Sequence, residues 1–223
     1  GVPLYVDARG LTTSLMAVGD RGLEIRFDFL DHQLLFLVTD GSTRQMKLEP
    51  RTVADFYAEY TAHLADLGFD IAIVGTPVEL PDATPFAEDT EHDSYDAAAV
   101  SDFFTSLVSA DRVMTDYRAD FTGKSSPVHF FWGSFDLACT RFSGRLAPRH
   151  PGGVPNCGDW VMEEGYSHEL SSCGFWPGGG AEGAFYSYAY PEPAGFADAA
   201  GLPEGAFYDT GLRQYLLPYE TAR

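Results

Sequence analysis

Leu23-Glu24-Ile25-Arg26-Phe27-Asp28-Phe29 sets an apolar side chain at every second position with a charged one between, the period-2 pattern of a half-buried strand. Downstream, Asp31-His32 turns the chain into residues 34–38, which are apolar on both faces and suit a central strand covered on both sides. Asp40-Gly41 marks the next hairpin. Pro50 fits a helix first turn, and Val53, Phe56, Tyr57, Tyr60, Leu64 and Leu67 recur at helical spacing until Gly68 stops them. Residues 71–74 read as a short strand, and the Pro-rich residues 77–85 as extended chain. A second helix, capped by Ser94 or Asp96, would bury Val100, Phe103, Phe104, Leu107, Val108, Met114 and Tyr117 before Gly123. Strands return over residues 128–132, 137–142, 169–175, 185–190 and 215–217, with a long Gly- and Pro-rich loop at 143–159. The expected fold is α+β: an antiparallel meander, open or curled into a barrel, with two main amphipathic helices packed on it, in one domain over residues 1–223.

The composition narrows the function. With 33 acidic against 14 basic residues, a formal net charge of −19, the chain would repel nucleic acid and anionic membranes. No apolar run reaches the ~18 residues that a membrane-spanning helix needs. Cys139, Cys157 and Cys173 are odd in number and lack CxxC spacing, so they suggest neither a disulfide framework nor a thiolate zinc knuckle, and a reducing cytoplasm is the expected compartment.

All three Trp, all three Cys and three of the six His fall between His129 and Glu192, where Gly-rich and Tyr-rich runs suggest a concave, aromatic small-molecule pocket. If residues 128–132 and 137–142 form a hairpin around Gly133-Ser134, His129 and Arg141 could meet on one sheet face and hold a carboxylate or enolate. His150 would sit on the mobile loop, able to close over a ligand. His168 offers a second acid/base group, and Trp132, Trp176, Tyr186 and Tyr188 would wall the pocket. Tyr186, Tyr188 and Tyr190 share a strand face, which fits either a stacking surface or packing against a helix. A zinc or iron centre would draw on His129, His150, His168, Glu164, Asp159, Cys157 or Cys173, with His129 and His168 foremost, yet no local ligand spacing brings any two together. Cys157 and Cys173 become nucleophiles only if a histidine approaches them. The tract Pro177-Gly178-Gly179-Gly180 lacks the pattern of a phosphate cradle. Asp89, His92, Asp93 and Asp96 place carboxylates around an imidazole, as a proton-transfer site or as a capping turn.

The runs SPVHFFWGSFDLACTRFSGR, HPGGVPN, SHELSSCGFWPGGG and FYSYAYPEP, with RTVADFYAE and EHDSYD before them, resemble the bacterial family known as domain of unknown function 5996. The likeness spans almost the whole chain. It brings no activity, cofactor or catalytic residue, and it implies a Trp- and His-containing segment ahead of the part that begins at Val2.

Three functional expectations follow from the residues. The leading one is a small-molecule enzyme using His129 or His168 as acid/base and Arg141 to hold an anionic group. The second is a non-catalytic binding or sensor module of the same shape, and the third a structural subunit with an exposed Trp/Tyr patch. No motif names a cofactor or an oligomeric state.

Overall fold

The computed structural model describes residues 3–178 and 182–223. Gly179 and Gly180 of the glycine tract lie outside the described residues. The chain divides into two compact units, Gly1–Thr105 and Ser106–Arg223.

The first unit is an antiparallel ladder of β1 (Pro3–Val6), β2 (Gly10–Thr12), β4 (Arg21–Asp28), β5 (Gln33–Val38) and β6 (Thr43–Lys47), with β3 (Met16–Val18) paired to β4. The alternation that predicts β4 does bury Leu23 and Ile25, which pair with Val38 and Phe36. Burying a ring as completely as Phe36 stabilises the fold by about 2–3 kcal/mol. Phe36 packs against Tyr60 and His63 of α1 (Val53–Asp66). The Thr52 hydroxyl accepts from the Asp55 N–H to open α1, and Gly68, at φ +77°, takes the left-handed turn beyond its end. The carbonyls of His92 and Asp89 accept from the N–H groups of Val53 and Ala54, and Asp89 itself holds the His92 ring and backbone N–H. The acidic run around His92 therefore serves as the cap of a helix. Residues 71–74 form no strand: Ile71, Ile73 and Val74 are exposed, and no strand among the described residues pairs with them.

α2 (Ala97–Ala119) starts where Asp96 accepts from the N–H groups of Ala98 and Ala99. Phe103 and Phe104 meet Phe29, while Leu107, Ala110 and Met114 are the buried positions and Val108 faces solvent.

The second unit pairs β7 (His129–Phe131), β8 (Asp136–Leu146), β9 (His168–Trp176), β10 (Ala184–Tyr190), β12 (Gln214–Pro218) and β11 (Phe207–Asp209) in that order, every pair antiparallel. A short α3 (Asp159–Gly165) interrupts the loop before β9, and α4 (Tyr219–Ala222) follows β12. The barrel alternative falls. β6 ends one ladder and β11 the other, and strands of five and three residues are too short to carry the tilted, staggered pairing that closure requires. Among the described residues no helix is long and apolar enough to cross a membrane.

Candidate functional site

In an antiparallel ladder, directly paired residues project to the same face. In the second unit His129, Ala138, Gly174, Tyr186 and Leu216 form one such row, flanked by Phe131 with Asp136 and by Thr140, Ser172 and Tyr188. The opposite face carries Phe130, Leu137, Phe175 and Phe185, then Cys139 with Cys173, then Arg141 with Ser171.

This register separates His129 from Arg141, which the sequence expectation placed together. A turn centred on Gly133-Ser134 pairs odd positions with even ones, so His129 opposes Ala138 and Arg141 points to the other side. There the guanidinium lies 3.4 Å from the centroid of the Tyr117 ring and donates to the Tyr117 carbonyl, fastening the end of α2 to the sheet. His168 does share the His129 face, but it sits six residues along β9 from Gly174, about 20 Å at the rise of a strand. Its Nδ1 lies 3.1 Å from the Ser167 hydroxyl. Trp132 is half exposed at the hairpin tip, edge-on to Phe135.

The remaining expectations converge. Trp176 packs on Tyr186 at 4.7 Å between ring centroids, and Tyr186 stacks on Tyr188 at 6.1 Å. Tyr188 shares a 2.9 Å hydroxyl contact with Tyr166, and the His150 ring lies over Tyr166 at 4.7 Å and Tyr190 at 5.5 Å. The result is a wall of rings running from Trp176 to His150, with the loop histidine fixed at its end by stacking and by the Gly152 N–H donating to its Nδ1.

Asp136, absent from the sequence-derived candidates, anchors this wall. It is 4% exposed, and its carboxylate accepts from the Tyr186 phenol and from the Ser134 hydroxyl. Gly174 makes that reach possible: a Cβ there would overlap the Tyr186 phenol and the Leu137 carbonyl, so only glycine lets the ring cross β9. The available signal was a single carboxylate in the apolar run Phe135-Asp136-Leu137-Ala138-Cys139, since a charge inside a strand must be paired or put to use. Tyr190, expected to share the Tyr186 face, joins the wall, whereas Tyr166 was missed because it ends α3, outside the strands, where no period in the sequence points to it.

Burial pushes the Tyr186 phenol well above its ordinary value, and the Asp136 charge adds to the rise. Burial does the same to Tyr188, with Tyr166 contributing. The His129 imidazole moves the other way: burial holds it below its usual value while Asp136 draws it partly back up. It is therefore neutral near pH 7, with a negative charge beside it to receive a proton's field. On the far face burial raises Cys173 to about 12, which leaves essentially no thiolate to act as a nucleophile. Among the described residues no three His, Cys, Asp or Glu side chains gather in a set able to hold a metal ion.

A model described as a family of unknown function (DUF5996) matches residues 1–223. No curated protein and no solved structure matches the chain.

Proposed function

Since the chain belongs to the DUF5996 family along its full length, we propose from the site itself that it is a small-molecule enzyme working by general acid–base chemistry on a ring-bearing substrate. The substrate ring would lie against Trp176 and Tyr188, which are partly exposed on either side of the buried Tyr186 and offer flat aromatic area with little rotamer entropy to lose. His129 would accept the proton as a neutral imidazole, and the Asp136 carboxylate would stabilise the imidazolium that forms. Tyr186 and Ser134 would keep that carboxylate in place. Neither Arg141 nor His168 takes part in this reading.

The observation that carries it is a buried carboxylate held by hydroxyls, on the same sheet face as a half-buried imidazole and a run of ring surfaces. A specific observation favours a second reading, the non-catalytic binding module: Tyr166, Tyr186, Tyr188 and Tyr190 all spend their hydroxyls on protein partners, as a rigid platform would. Saturation-transfer NMR against a panel of small aromatic, heterocyclic and sugar compounds, followed by mass analysis for turnover, separates the two. The enzyme predicts a compound that is converted by the wild type and still bound but converted at least about a hundredfold more slowly by His129→Gln. Conversion at an unchanged rate in that variant would remove His129 from the chemistry, and binding without any conversion would leave the module.

A further inference from the structure

A cleft of about 620 Å³ opens within the Ser106–Arg223 unit on the sheet face opposite the ring wall. Its floor is Phe185 and Leu217, which pair directly across β10 and β12, with Tyr219 beside Phe185 and packed on Phe175. Ala110 and Val113 of α2 form one apolar side and Pro203 contributes to the rim. The volume falls in the range of about 300–1,000 Å³ usual for small ligands. Val113 is 51% exposed, an apolar side chain left open beside an apolar floor.

The charges at the rim are the informative part. Arg112 lies about one turn after Ser109 and next to Val113 and lines the cleft, yet among the described residues its guanidinium forms no ion pair or hydrogen bond. Acidic residues outnumber basic ones 33 to 14 in this chain, so a guanidinium without a carboxylate partner runs against the local supply. Arg223 also lines the cleft and pairs with Glu220 at 3.0 Å, and Glu204 is the acidic residue on the rim. The chain's overall negative field repels anions, so any anion that binds needs its own cation in place, and Arg112 supplies one with paired donors matched to a carboxylate. We propose that this cleft binds a small amphiphilic carboxylate, with its apolar body on Phe185, Leu217, Tyr219 and Val113 and its carboxylate on Arg112. The site is independent of the ring wall and of the chemistry assigned to it.

Octanoate and 1-octanol, titrated separately into the full chain and followed by backbone amide NMR, test the assignment. Octanoate should shift the amides of Val113, Leu217 and Tyr219 saturably. Arg112→Gln, a change at an exposed helix position, should weaken octanoate at least about tenfold, the scale of a lost hydrogen bond to a charged group, and leave octanol unaffected. Val113→Asp should weaken octanoate as well, by setting a like charge beside it. The proposal is overturned if octanoate shifts none of these amides, if it shifts those of Tyr186 and Tyr188 instead, or if the wild type and Arg112→Gln bind it equally.

Discussion

Asp28 and Asp136 are buried in nearly equal degree, at 3% and 4% exposure, and their surroundings differ in kind. Asp28 closes β4 and accepts from the Arg9 guanidinium and from the backbone N–H groups of Leu30 and Asp31, at 3.1 and 3.0 Å. Burial pushes its carboxyl up, but Arg9 and those amides outweigh that and leave it below its ordinary value. Asp136 opens β8 with hydroxyl donors, and among the described residues no Lys or Arg pairs with it. Hydroxyls satisfy the lone pairs of a carboxylate and leave its charge uncancelled. The field of Asp28 is thus consumed in tying a strand end to the Asp7–Gly10 turn, whereas that of Asp136 reaches His129 and Tyr186. A buried charge with its own cation holds a fold together, and one without a cation is left to polarise its neighbours.

The contrast is most sharply broken at Arg9. Arg9→Met leaves a buried carboxylate without its cation and should lower stability to urea more than Tyr186→Phe does, although Arg9 itself is partly exposed. The pH dependence has a definite sign. The folded carboxyl of Asp28 lies below its unfolded value, so its contribution is in full force above about pH 4 and fades as the pH falls through the folded value. The variant should lose that portion of the acid dependence. No measurable loss would mean that the exposed-pair limit applies and that Asp28 is no better neutralised than Asp136.

Tyr186→Phe is the matching perturbation on the other side and should cost less, about 1–2 kcal/mol, since the carboxylate loses one neutral donor and keeps Ser134. The ring remains to stack between Trp176 and Tyr188, so Trp fluorescence should change little while urea stability falls. Equal losses in Arg9→Met and Tyr186→Phe would erase the distinction between the two carboxylates.

How much of this was legible depends on which physical signal each part leaves in the sequence. The β4 alternation, the Asp40-Gly41 turn, the α1 stripe to Gly68 and the β10 tyrosines are local patterns, and each forms an element where it was expected. Strands β1, β2 and β3, at four, three and three residues, are too short to show a period, and residues 71–74 show β-type composition without a partner strand. Site residues depend on register, which one position of slip inverts. The pairing of His129 with Ala138 moved Arg141 to the helix side and brought Asp136 to the ring wall, and the length of β9 carried His168 away. Trp176, Tyr186, Tyr188 and His150 were recoverable because aromatic clustering in sequence survives a register error. Asp136 was hidden because a lone acidic residue at a strand start looks like a turn residue until the strand across from it sends a phenol to meet it.

The smallest effect gives the finest test, because it reads the Asp136 field directly at its neighbour. His129 is half-buried and its imidazole is held below the ordinary value by burial, with Asp136 opposing. Its contribution to stability is therefore present above the unfolded value of about 6.5 and is lost as the pH falls through the folded one. Asp136→Asn keeps the shape and one acceptor oxygen, turns an N–H donor towards the second hydroxyl and removes the charge, so the opposing influence disappears and the imidazole should titrate at lower pH than in the wild type. Following the His129 ring protons by NMR through an acid titration of the wild type and this variant decides the matter: equal midpoints would show that burial alone sets His129 and that the hydroxyl-held carboxylate projects no field onto it.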